Sequence, residues 1–263
     1  MRLEPESGRA RVDGPNYGNW IRVRIILIFL AAGSGLLVSS LLVPDGLVRV
    51  LLLVSAAGAL SGFLYFTYLY RKLSLGLQEQ LWELVLEHLC WNGQGRALDI
   101  GTGNGPLAIK LAQDWPRSQV DGIDSWGFGW EYAQQECERN AALLGIGDRV
   151  RFTEASASRL PFEEGVFDAV VSHFVFHEVA DAPDKRRLIQ EGLRVLRKGG
   201  AFAFQDMFLE PSLYGEVEEL LETVRSWGVR DVKFARTGQL VRIPPLLRHR
   251  RVLGSAGILY GYK

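Results

Sequence analysis

The sequence predicts an α/β protein built on a doubly wound parallel sheet, preceded by a two-helix transmembrane hairpin. Three observations predict this fold. Two long apolar segments follow each other near the N-terminus, strand-like apolar runs then alternate with helical segments, and a glycine-rich turn joins the first strand to its helix. The 263 residues, 48% of them hydrophobic, suffice for one large core and a smaller unit beside it.

Charge and cysteine content exclude several classes of function. The formal net charge is zero and the pI is about 6.9, so the chain lacks the positive field that draws proteins onto nucleic acids. Cys90 and Cys137 are the only cysteines, and neither has the spacing of a disulfide framework or a zinc site. We therefore expect no nucleic-acid partner, no bound metal and a reducing compartment.

The apolar segments 25–43 and 50–70 are uncharged and are separated by a turn-like stretch, "PDGL". Each is long enough to cross a hydrocarbon core of about 30 Å. A cleaved signal peptide is disfavoured because a second apolar segment follows at once, and a buried soluble pair would need a larger protein to cover it. Insertion of the hairpin into one membrane interface remains an alternative.

Basic residues flank the hairpin on both sides, which predicts a two-pass membrane protein whose termini and catalytic domain face the cytoplasm. The G-x-x-x-G pair of Gly58 and Gly62 allows close packing of the two helices or of two protomers, which leaves a homodimer open. The flanking basic residues are Arg9, Arg11, Arg22, Arg24, Arg71 and Lys72.

The chain divides into four predicted parts: a basic segment 1–24, the hairpin 25–72, an amphipathic linker helix 73–94, and an α/β domain 95–263. Gly199 and Gly200 are expected to cap a helix that ends in "RVLRK". The predicted strands of the domain are 97–100, 119–124, 149–153, 167–172 and 201–205, with helices that begin at Pro106, end near Leu144 and span 185–196.

Gly101, Gly103 and Gly105 follow the first predicted strand and open a helix at Pro106. A loop without side chains lets a ligand approach the main chain, although a tight turn without a ligand has the same pattern. The spacing differs from the dinucleotide and triphosphate loops. About twenty residues on, Asp124 ends the second strand and is suited to accept hydrogen bonds from a ribose diol.

Five ordered segments carry a resemblance to a known family: "LDIGTGNGPLAIKLA", "VDGIDSW", "ERNAALLGIGDRVRF", "SRLPFEEGVFDAVVSHFVFHEV" and "RVLRKGGAFAFQD". With them the chain resembles the class I S-adenosylmethionine-dependent methyltransferases, and the tail "HRRVLGSAGILYGYK" is similar to the last antiparallel strand of that family. The resemblance implies a Rossmann-like seven-stranded sheet and S-adenosyl-L-methionine as the cofactor.

The resemblance also implies a cofactor site. Asp99 and the glycine loop would hold the methionine end, Asp124 the ribose, and Ser125 and Trp126 would flank ribose and adenine, although Trp126 is equally suited to a core. Many relatives carry an adenine-binding acid where this chain has Ser156, so a main-chain contact there or Glu154 is the alternative. The implied cofactor-binding residues are Asp99, Gly101, Thr102, Gly103, Gly105, Asp124, Ser125, Trp126, Ser156, Ala157 and Ser172.

Methyl transfer from a sulfonium needs alignment and exclusion of water more than catalytic side chains. The stretch from Ser172 follows the fourth strand. The resemblance implies that it lies beside the methyl group of the cofactor. It contains His173 and His177, which would share one face of a helix and are candidate bases, or else orient loops. The resemblance also implies that Asp206 lies near the pocket; the alternative is that Asp206 caps a helix or a turn. The chain lacks the N-P-P-[YF] motif of relatives that methylate nucleic-acid bases and protein amides.

These expectations predict a membrane-anchored S-adenosylmethionine-dependent methyltransferase that acts on a small hydrophobic or amphiphilic acceptor, such as a lipid, a quinone precursor or a thiol. The linker helix is expected to roof the pocket at the bilayer surface with Phe208, Leu209, Leu213 and the basic stretch "RIPPLLRHRR". The alternatives are a non-catalytic, membrane-tethered cofactor-binding protein and a nucleotide-dependent oxidoreductase, for which the glycine spacing is unsuited.

Overall fold

Two apolar helices are the first regular elements of this computed structural model, which describes residues 14–127 and 133–263. Helix α1, Val23–Leu42, packs against helix α2, Leu47–Lys72. Both are long and apolar enough to cross a membrane, and only 11% and 6% of their apolar windows are buried, unlike the core helices of a soluble domain. By length and composition, both helices qualify as candidate spans. Arg9 and Arg11, used above for orientation, lie outside the described residues.

Small residues bring the two helices together. A Cβ atom built on Gly62 would lie 2.5 Å from the ring of Phe29, and one on Gly33 would lie 2.8 Å from the side chain of Leu60. A Cβ atom on Gly58 would meet nothing within 4 Å. Gly62 therefore serves the contact within the hairpin, whereas Gly58 leaves an open position on the surface of α2.

A seven-stranded sheet forms the centre of the domain, in the order β3-β2-β1-β4-β5-β7-β6. Strands β1 to β5 pair in parallel, and β7 runs antiparallel to both of its neighbours, which confirms the predicted sheet with its antiparallel last strand. The strands are β1 Gly95–Ile100, β2 Ser118–Asp124, β3 Val150–Glu154, β4 Phe167–His173, β5 Leu196–Asp206, β6 Asp231–Arg236 and β7 Gly257–Tyr262.

The predicted linker helix packs on this sheet. After α2 the chain kinks over Leu73–Leu77, where Gly76 has a φ of 94°, and continues as α3, Gln78–His88. Leu81 and Val85 of α3 are fully buried, and Val85 lies in a core cluster with residues of β1, β4 and β5. Helix α3 thus joins the hairpin to the domain as part of its hydrophobic core.

Further helices cover both faces of the sheet, as the alternation of strands and helices predicts. One core cluster contains residues of α6 and α8, and the other contains residues of α3, α4 and α5. The helices that follow α3 are α4 Pro106–Asp114, α5 Gln134–Leu143, α6 Arg186–Val195, α8 Val217–Ser226 and the short α7 Pro211–Tyr214 and α9 Thr237–Leu240.

One predicted boundary is wrong. Helix α6 ends at Val195, and the next residue is already extended, so Gly199 and Gly200 lie within β5 and do not cap a helix. Gly199 has a φ of 72°, and its N–H donates to the carbonyl oxygen of Lys263 beyond the end of β7. The two glycines allow an irregular start of the strand. In the sequence, this pattern looks the same as that of a helix cap.

Candidate functional site

The principal cavity opens at the carboxyl ends of β1 and β4, where the strand order of the sheet reverses. Ligands of open α/β sheets bind at this place. The cavity has a volume of about 530 Å³, within the range of small-molecule sites. The loop after β1, the end of β2, the loops after β3 and β4, and α3 all contribute to its lining.

The glycine loop adopts a left-handed backbone at Gly101, Gly103 and Gly105, with φ of 75°, 58° and 83°. A Cβ atom on Gly101 would lie 2.1 Å from a methyl group of Val175, so the protein itself fills the space that the missing side chain leaves. The main chain from Gly101 to Gly103 still lines the cavity. At Gly101 the missing side chain therefore serves the turn and its packing against Val175, while the main chain of the loop stays open to a ligand.

The N–H groups of this loop are used within the protein. Those of Gly101 and Thr102 donate to the carbonyl oxygen of Ile123 at 2.7 and 2.9 Å, and that of Gly103 donates to Oδ2 of Asp124 at 2.9 Å. A phosphate needs such N–H groups as donors. The loop is therefore arranged for a ligand other than a phosphate.

Asp99 lies beneath the loop and is almost fully buried. Its Oδ2 accepts the hydroxyl of Thr102 at 2.7 Å and the N–H of Ala108 in α4 at 3.1 Å. Burial raises the pKa of Asp99 to about 7, against the lowering effect of these two hydrogen bonds. The carboxyl group thus holds the loop to the first turn of α4, and Asp99 is not among the residues that line the cavity.

Asp124 faces the cavity at the end of β2. Its two oxygens accept the N–H of Gly103 and the N–H of Trp126, both at 2.9 Å, which fixes the orientation of the carboxylate. Each carboxylate oxygen can accept a second hydrogen bond. Ser125 also lines the cavity, whereas Trp126 lies outside the lining and donates from Nε1 to the carbonyl oxygen of Gly103 at 2.9 Å.

Ser156 and Ala157, from the loop after β3, line the same cavity. The structure adds a carboxylate there that the sequence did not indicate, because Asp181 arrives from the loop after β4. Its Oδ2 accepts the hydroxyl of Ser158 at 2.6 Å and that of Ser156 at 3.1 Å. These hydrogen bonds lower the pKa of Asp181, so the group is ionised at neutral pH.

His173 ends β4 and lines the cavity, while Ser172 is buried and donates to the carbonyl oxygen of Ile100. The imidazole lies 5.5 Å from the ring of Trp20, between ring centroids, and 4.9 Å from that of Phe174. Burial lowers the pKa of His173 to about 3, so its ring is neutral. Its Nε2 atom is buried and has no hydrogen-bond partner among the described residues.

His177 lies apart from this atom, because the two histidines do not share a helix: β4 ends at His173, and His177 lies in a short turn, Phe176–Glu178. Its Nδ1 lies 2.8 Å from Oδ1 of the fully buried Asp206, and its Nε2 lies 3.4 Å from Glu178. Burial alone would lower the pKa of His177, but the two carboxylates outweigh burial and raise it to about 10. His177 is therefore a paired cation and is absent from the lining of the cavity.

The roof of the cavity differs from the expected one. Phe208, Leu209, Leu213 and the 242–251 stretch do not line it, and Phe208 is buried in the core. Ile243 and Leu247 of that stretch pack instead against the end of α2 and the start of α3. The expected contribution of the linker helix is present as Gln78 and Trp82 of α3.

The rest of the roof is a segment without regular secondary structure, residues 14–22, which we call the N-terminal strap. Its Tyr17 and Trp20 line the cavity. The strap is held over the glycine loop because Asn16 exchanges main-chain hydrogen bonds with the side chain of Asn140, at 2.8 and 2.9 Å. Sequence reasoning treated this region as a basic tail, although the uncharged run "GPNYGNW" was a signal of a packed segment.

Comparison with known proteins agrees with this geometry. Residues 97–200 match the family model described as a methyltransferase domain. They form a methyltransferase domain. The domain takes S-adenosylmethionine as its cofactor. Within the described residues, no group of three or more histidine, cysteine or acidic side chains is placed to hold a metal ion.

Two similar proteins illustrate the range of relatives. The 27-O-demethylrifamycin SV methyltransferase of Amycolatopsis mediterranei (strain S699) is 35% identical over 136 residues, or 51% of this chain and 46% of that enzyme. The ubiquinone/menaquinone biosynthesis C-methyltransferase UbiE of Geobacter sp. (strain M21) is 30% identical over 146 residues, or 55% and 59%. The chain thus spans about half the length of these curated relatives.

A solved structure shares the fold. The geranyl diphosphate C-methyltransferase of Streptomyces coelicolor A3(2), in complex with Mg²⁺, geranyl diphosphate and S-adenosyl-L-homocysteine, has a TM-score of 0.52 and 16% identity. The match covers 75% of this chain and 82% of that one. At this identity the likeness shows the fold alone.

The residues of the cavity fit the cofactor of the domain. S-adenosylmethionine carries a ribose diol and an ammonium group, which are hydrogen-bond donors, a carboxylate, which accepts hydrogen bonds, and a sulfonium cation. Asp124 presents acceptor capacity towards the cavity, and Asp181 adds a second carboxylate. The N–H groups of Gly101, Thr102 and Gly103, which would favour an anion, are already used. The donor and acceptor pattern of this site therefore suits a cationic nucleoside.

Proposed function

We propose that this protein is a membrane-anchored, S-adenosylmethionine-dependent methyltransferase that acts on a small hydrophobic or amphiphilic acceptor. The observation that carries the proposal is the extent of the cavity. It runs from Asp124 to the side chain of His173, whose Nε2 atom is buried and unpaired, beneath the aromatic side chains of the N-terminal strap. One cavity thus combines a cofactor side with an apolar acceptor side.

On the cofactor side, we assign the ribose to Asp124 and Ser125. The main chain from Gly101 to Gly105 would contact the methionine end, with Asp99 acting from below through the hydroxyl of Thr102. Trp126 would stabilise the loop through its bond to Gly103 rather than cover the adenine. Ser172 would act as a support between β4 and β1.

On the adenine side, we assign the base to the wall made by Ser156, Ala157 and Asp181. The exocyclic amine of adenine is a donor, and a carboxylate is the matching acceptor. Both serine hydroxyls engage Oδ2 of Asp181, so among the described side chains Oδ1 has no hydrogen-bond donor. Asp181 would therefore supply the acid that the loop after β3 lacks.

On the acceptor side, His173 is the proposed catalytic residue. The bound cofactor supplies a methyl group already activated by the charge on its sulfur. His173 is neutral, and its unpaired Nε2 would take the proton that an acceptor hydroxyl or amine must lose. His173 would then hold that proton as an imidazolium until it returns to solvent. His177, already paired with two carboxylates, is not needed as a base.

The acceptor class follows from the surroundings of His173. Trp20, Trp82 and Phe174 make this end of the cavity aromatic, and it adjoins the segments that connect to the hairpin. Relatives named for rifamycin and quinone methylation are similar to this domain. An acceptor dissolved in the bilayer could reach His173 along α3 without crossing bulk water.

Membrane anchoring rests on the outward faces of α1 and α2, which expose large apolar side chains such as Leu41, Leu42, Leu47, Val54 and Leu64. Burying such surface in lipid is favourable by roughly 25 cal/mol per Å². Arg22 before α1, Arg24 in its first turn, and Arg71 and Lys72 at the end of α2 would place the domain on the cytoplasmic face.

Cofactor binding tests the first part of the proposal. Full-length protein in detergent should bind S-adenosylhomocysteine in a calorimetric titration, and Asp124→Ala should weaken binding about a hundredfold, since two hydrogen bonds to a charged group are lost. Asp121→Ala is the matched control. Asp121 lies on the same strand, pairs with Arg96 and does not line the cavity. Equal affinities in the two variants would contradict the assignment.

Methyl transfer tests the second part. Protein incubated with an isotopically labelled methyl donor and extracts of lipids, quinols and thiols should transfer label to one class, detected by mass spectrometry. His173→Phe should abolish transfer and retain cofactor binding. Cofactor binding without transfer to any class would favour the non-catalytic alternative. Release of the full-length protein from membranes by alkaline carbonate would contradict the anchor.

A further inference from the structure

Two polar side chains, those of Gln205 and Thr237, orient His173 from behind. The side-chain amide nitrogen of Gln205 donates to Oγ1 of Thr237 at 3.0 Å, and Oε1 of Gln205 lies 2.9 Å from Nδ1 of His173. All three residues come from different elements: β4, β5 and the start of α9. Gln205 and Thr237 are fully buried and do not line the cavity.

Building on the proposed function, we infer that Gln205 is a positioning residue that holds His173 in one tautomer, with its Nε2 lone pair facing an acceptor that presents an O–H or N–H group. An amide oxygen only accepts hydrogen bonds, so Nδ1 of His173 must carry the hydrogen. In a neutral imidazole the other nitrogen is then an acceptor. The side-chain nitrogen of Gln205 donates to Thr237, which leaves Oε1 facing His173.

The surroundings leave this acceptor atom for a ligand. Nε2 is buried, and among the described residues no donor reaches it. The rings closest to His173 belong to Phe174, Trp20 and Trp82, with centroids 4.9, 5.5 and 6.5 Å away, and none carries a formal charge. An unpaired polar atom in such a site is costly, and a ligand donor removes the cost.

Ionisable groups near His173 do not supply the missing donor. Asp206 adjoins Gln205 on β5, and its Oδ1 lies 2.8 Å from Nδ1 of His177. Glu178 pairs with the other ring nitrogen of His177 and, being ionised, can only accept hydrogen bonds. The missing donor must therefore come from the acceptor molecule. A flat apolar compound with a hydrogen-bond donor should bind better than the same compound without one.

The tautomer is measured first, on wild-type protein without any ligand. In nitrogen-15 NMR of histidine-labelled protein, the His173 signals, assigned by their loss in His173→Phe, should show a protonated Nδ1 and an unprotonated Nε2. Gln205→Leu should redistribute the hydrogen between the two nitrogens, and Thr237→Ser, which keeps the hydroxyl, should not. A hydrogen on Nε2 in the wild type would overturn the inference.

Binding of a matched pair of probes is measured second. The probes are 1-naphthol and 1-methoxynaphthalene, which share one ring system and differ in the O–H group. Quenching of tryptophan fluorescence should show that 1-naphthol binds about threefold to tenfold more tightly, the value of one net hydrogen bond. The preference should vanish in His173→Phe and Gln205→Leu and persist in Thr237→Ser.

The outcomes separate this inference from the proposed function. Equal binding of the two probes to wild-type protein overturns the inference, while cofactor binding and methyl transfer would still stand. Absence of cofactor binding or methyl transfer defeats the proposed function, while the tautomer and the probe preference would still describe the cavity. A kinetic readout adds to this once an acceptor is known: Gln205→Leu should lower kcat about tenfold to a hundredfold with a smaller change in KM.

Discussion

Replacing His177 with leucine should destabilise the protein by about 3–5 kcal/mol at pH 7, because it leaves the carboxylate of Asp206 buried without its cation. Asp206 is fully buried, and its Oδ1 lies 2.8 Å from Nδ1 of His177. The pKa of His177 provides a second route to the magnitude. It rises from 6.5 to about 10 on folding, and at about 1.4 kcal/mol for each unit this contributes about 4 kcal/mol at pH 7.

The dependence on pH has a definite sign. Because the folded pKa is higher than the unfolded one, the contribution of His177 is fully present below about pH 6.5 and is lost as the pH rises through about 10. Between these values, wild-type stability should fall by about 1.4 kcal/mol per pH unit from this group. His177→Leu should lack that component, so the stabilities of variant and wild type should converge near pH 10.

Thermal unfolding of the detergent-solubilised protein, followed by tryptophan fluorescence at one scan rate, measures both effects. At about 2–4 °C per kcal/mol for a protein of this size, Tm should fall by roughly 8–16 °C at pH 7. Glu178→Gln is the control, because that side chain is 54% exposed and such a pair contributes about 1 kcal/mol or less. An effect of His177→Leu no larger than that of Glu178→Gln, or one independent of pH, would refute the reasoning.

Three further predictions concern the loop, the adenine wall and the hairpin. Gly101→Ala should lower Tm and cofactor affinity. Adding Val175→Ala should restore only part of the loss, because it removes the 2.1 Å contact but leaves alanine at a φ of 75°. Full recovery in the double variant would contradict this. Asp181→Asn should weaken S-adenosylhomocysteine binding about tenfold in calorimetry. It should improve binding of the analogue with inosine in place of adenosine, since the asparagine amide can donate to the ring carbonyl of that base. Parallel changes for both ligands would exclude direct recognition of the base by residue 181. Gly62→Leu should lower Tm by disrupting the packing of α1 on α2, whereas Gly58→Leu, at an open position, should leave Tm unchanged. If light scattering shows a dimer, Gly58→Leu should dissociate it. Equal effects of the two variants on Tm would disprove the contact assigned to Gly62.

The order of elements in the domain was predictable because its information is local. Buried parallel strands are continuous apolar runs, and the turn after β1 requires glycines wherever its φ is positive, so both are visible in a short window of sequence. The helix cap predicted at Gly199 failed for the same reason. A glycine with a positive φ serves an irregular strand as well as a helix end, and only the pairing of β5 with its neighbours distinguishes the two.

The sequence by itself determined the sheet with its glycine loop, the acid at Asp124 and the pair of apolar helices. Only the tertiary structure decided which side chains share the cavity. It brought Asp181 to Ser156, aligned Thr237 and Gln205 behind His173, and drew the N-terminal strap over the site. Such contacts join residues far apart in the chain through strand order and register, and no local pattern of residues encodes them.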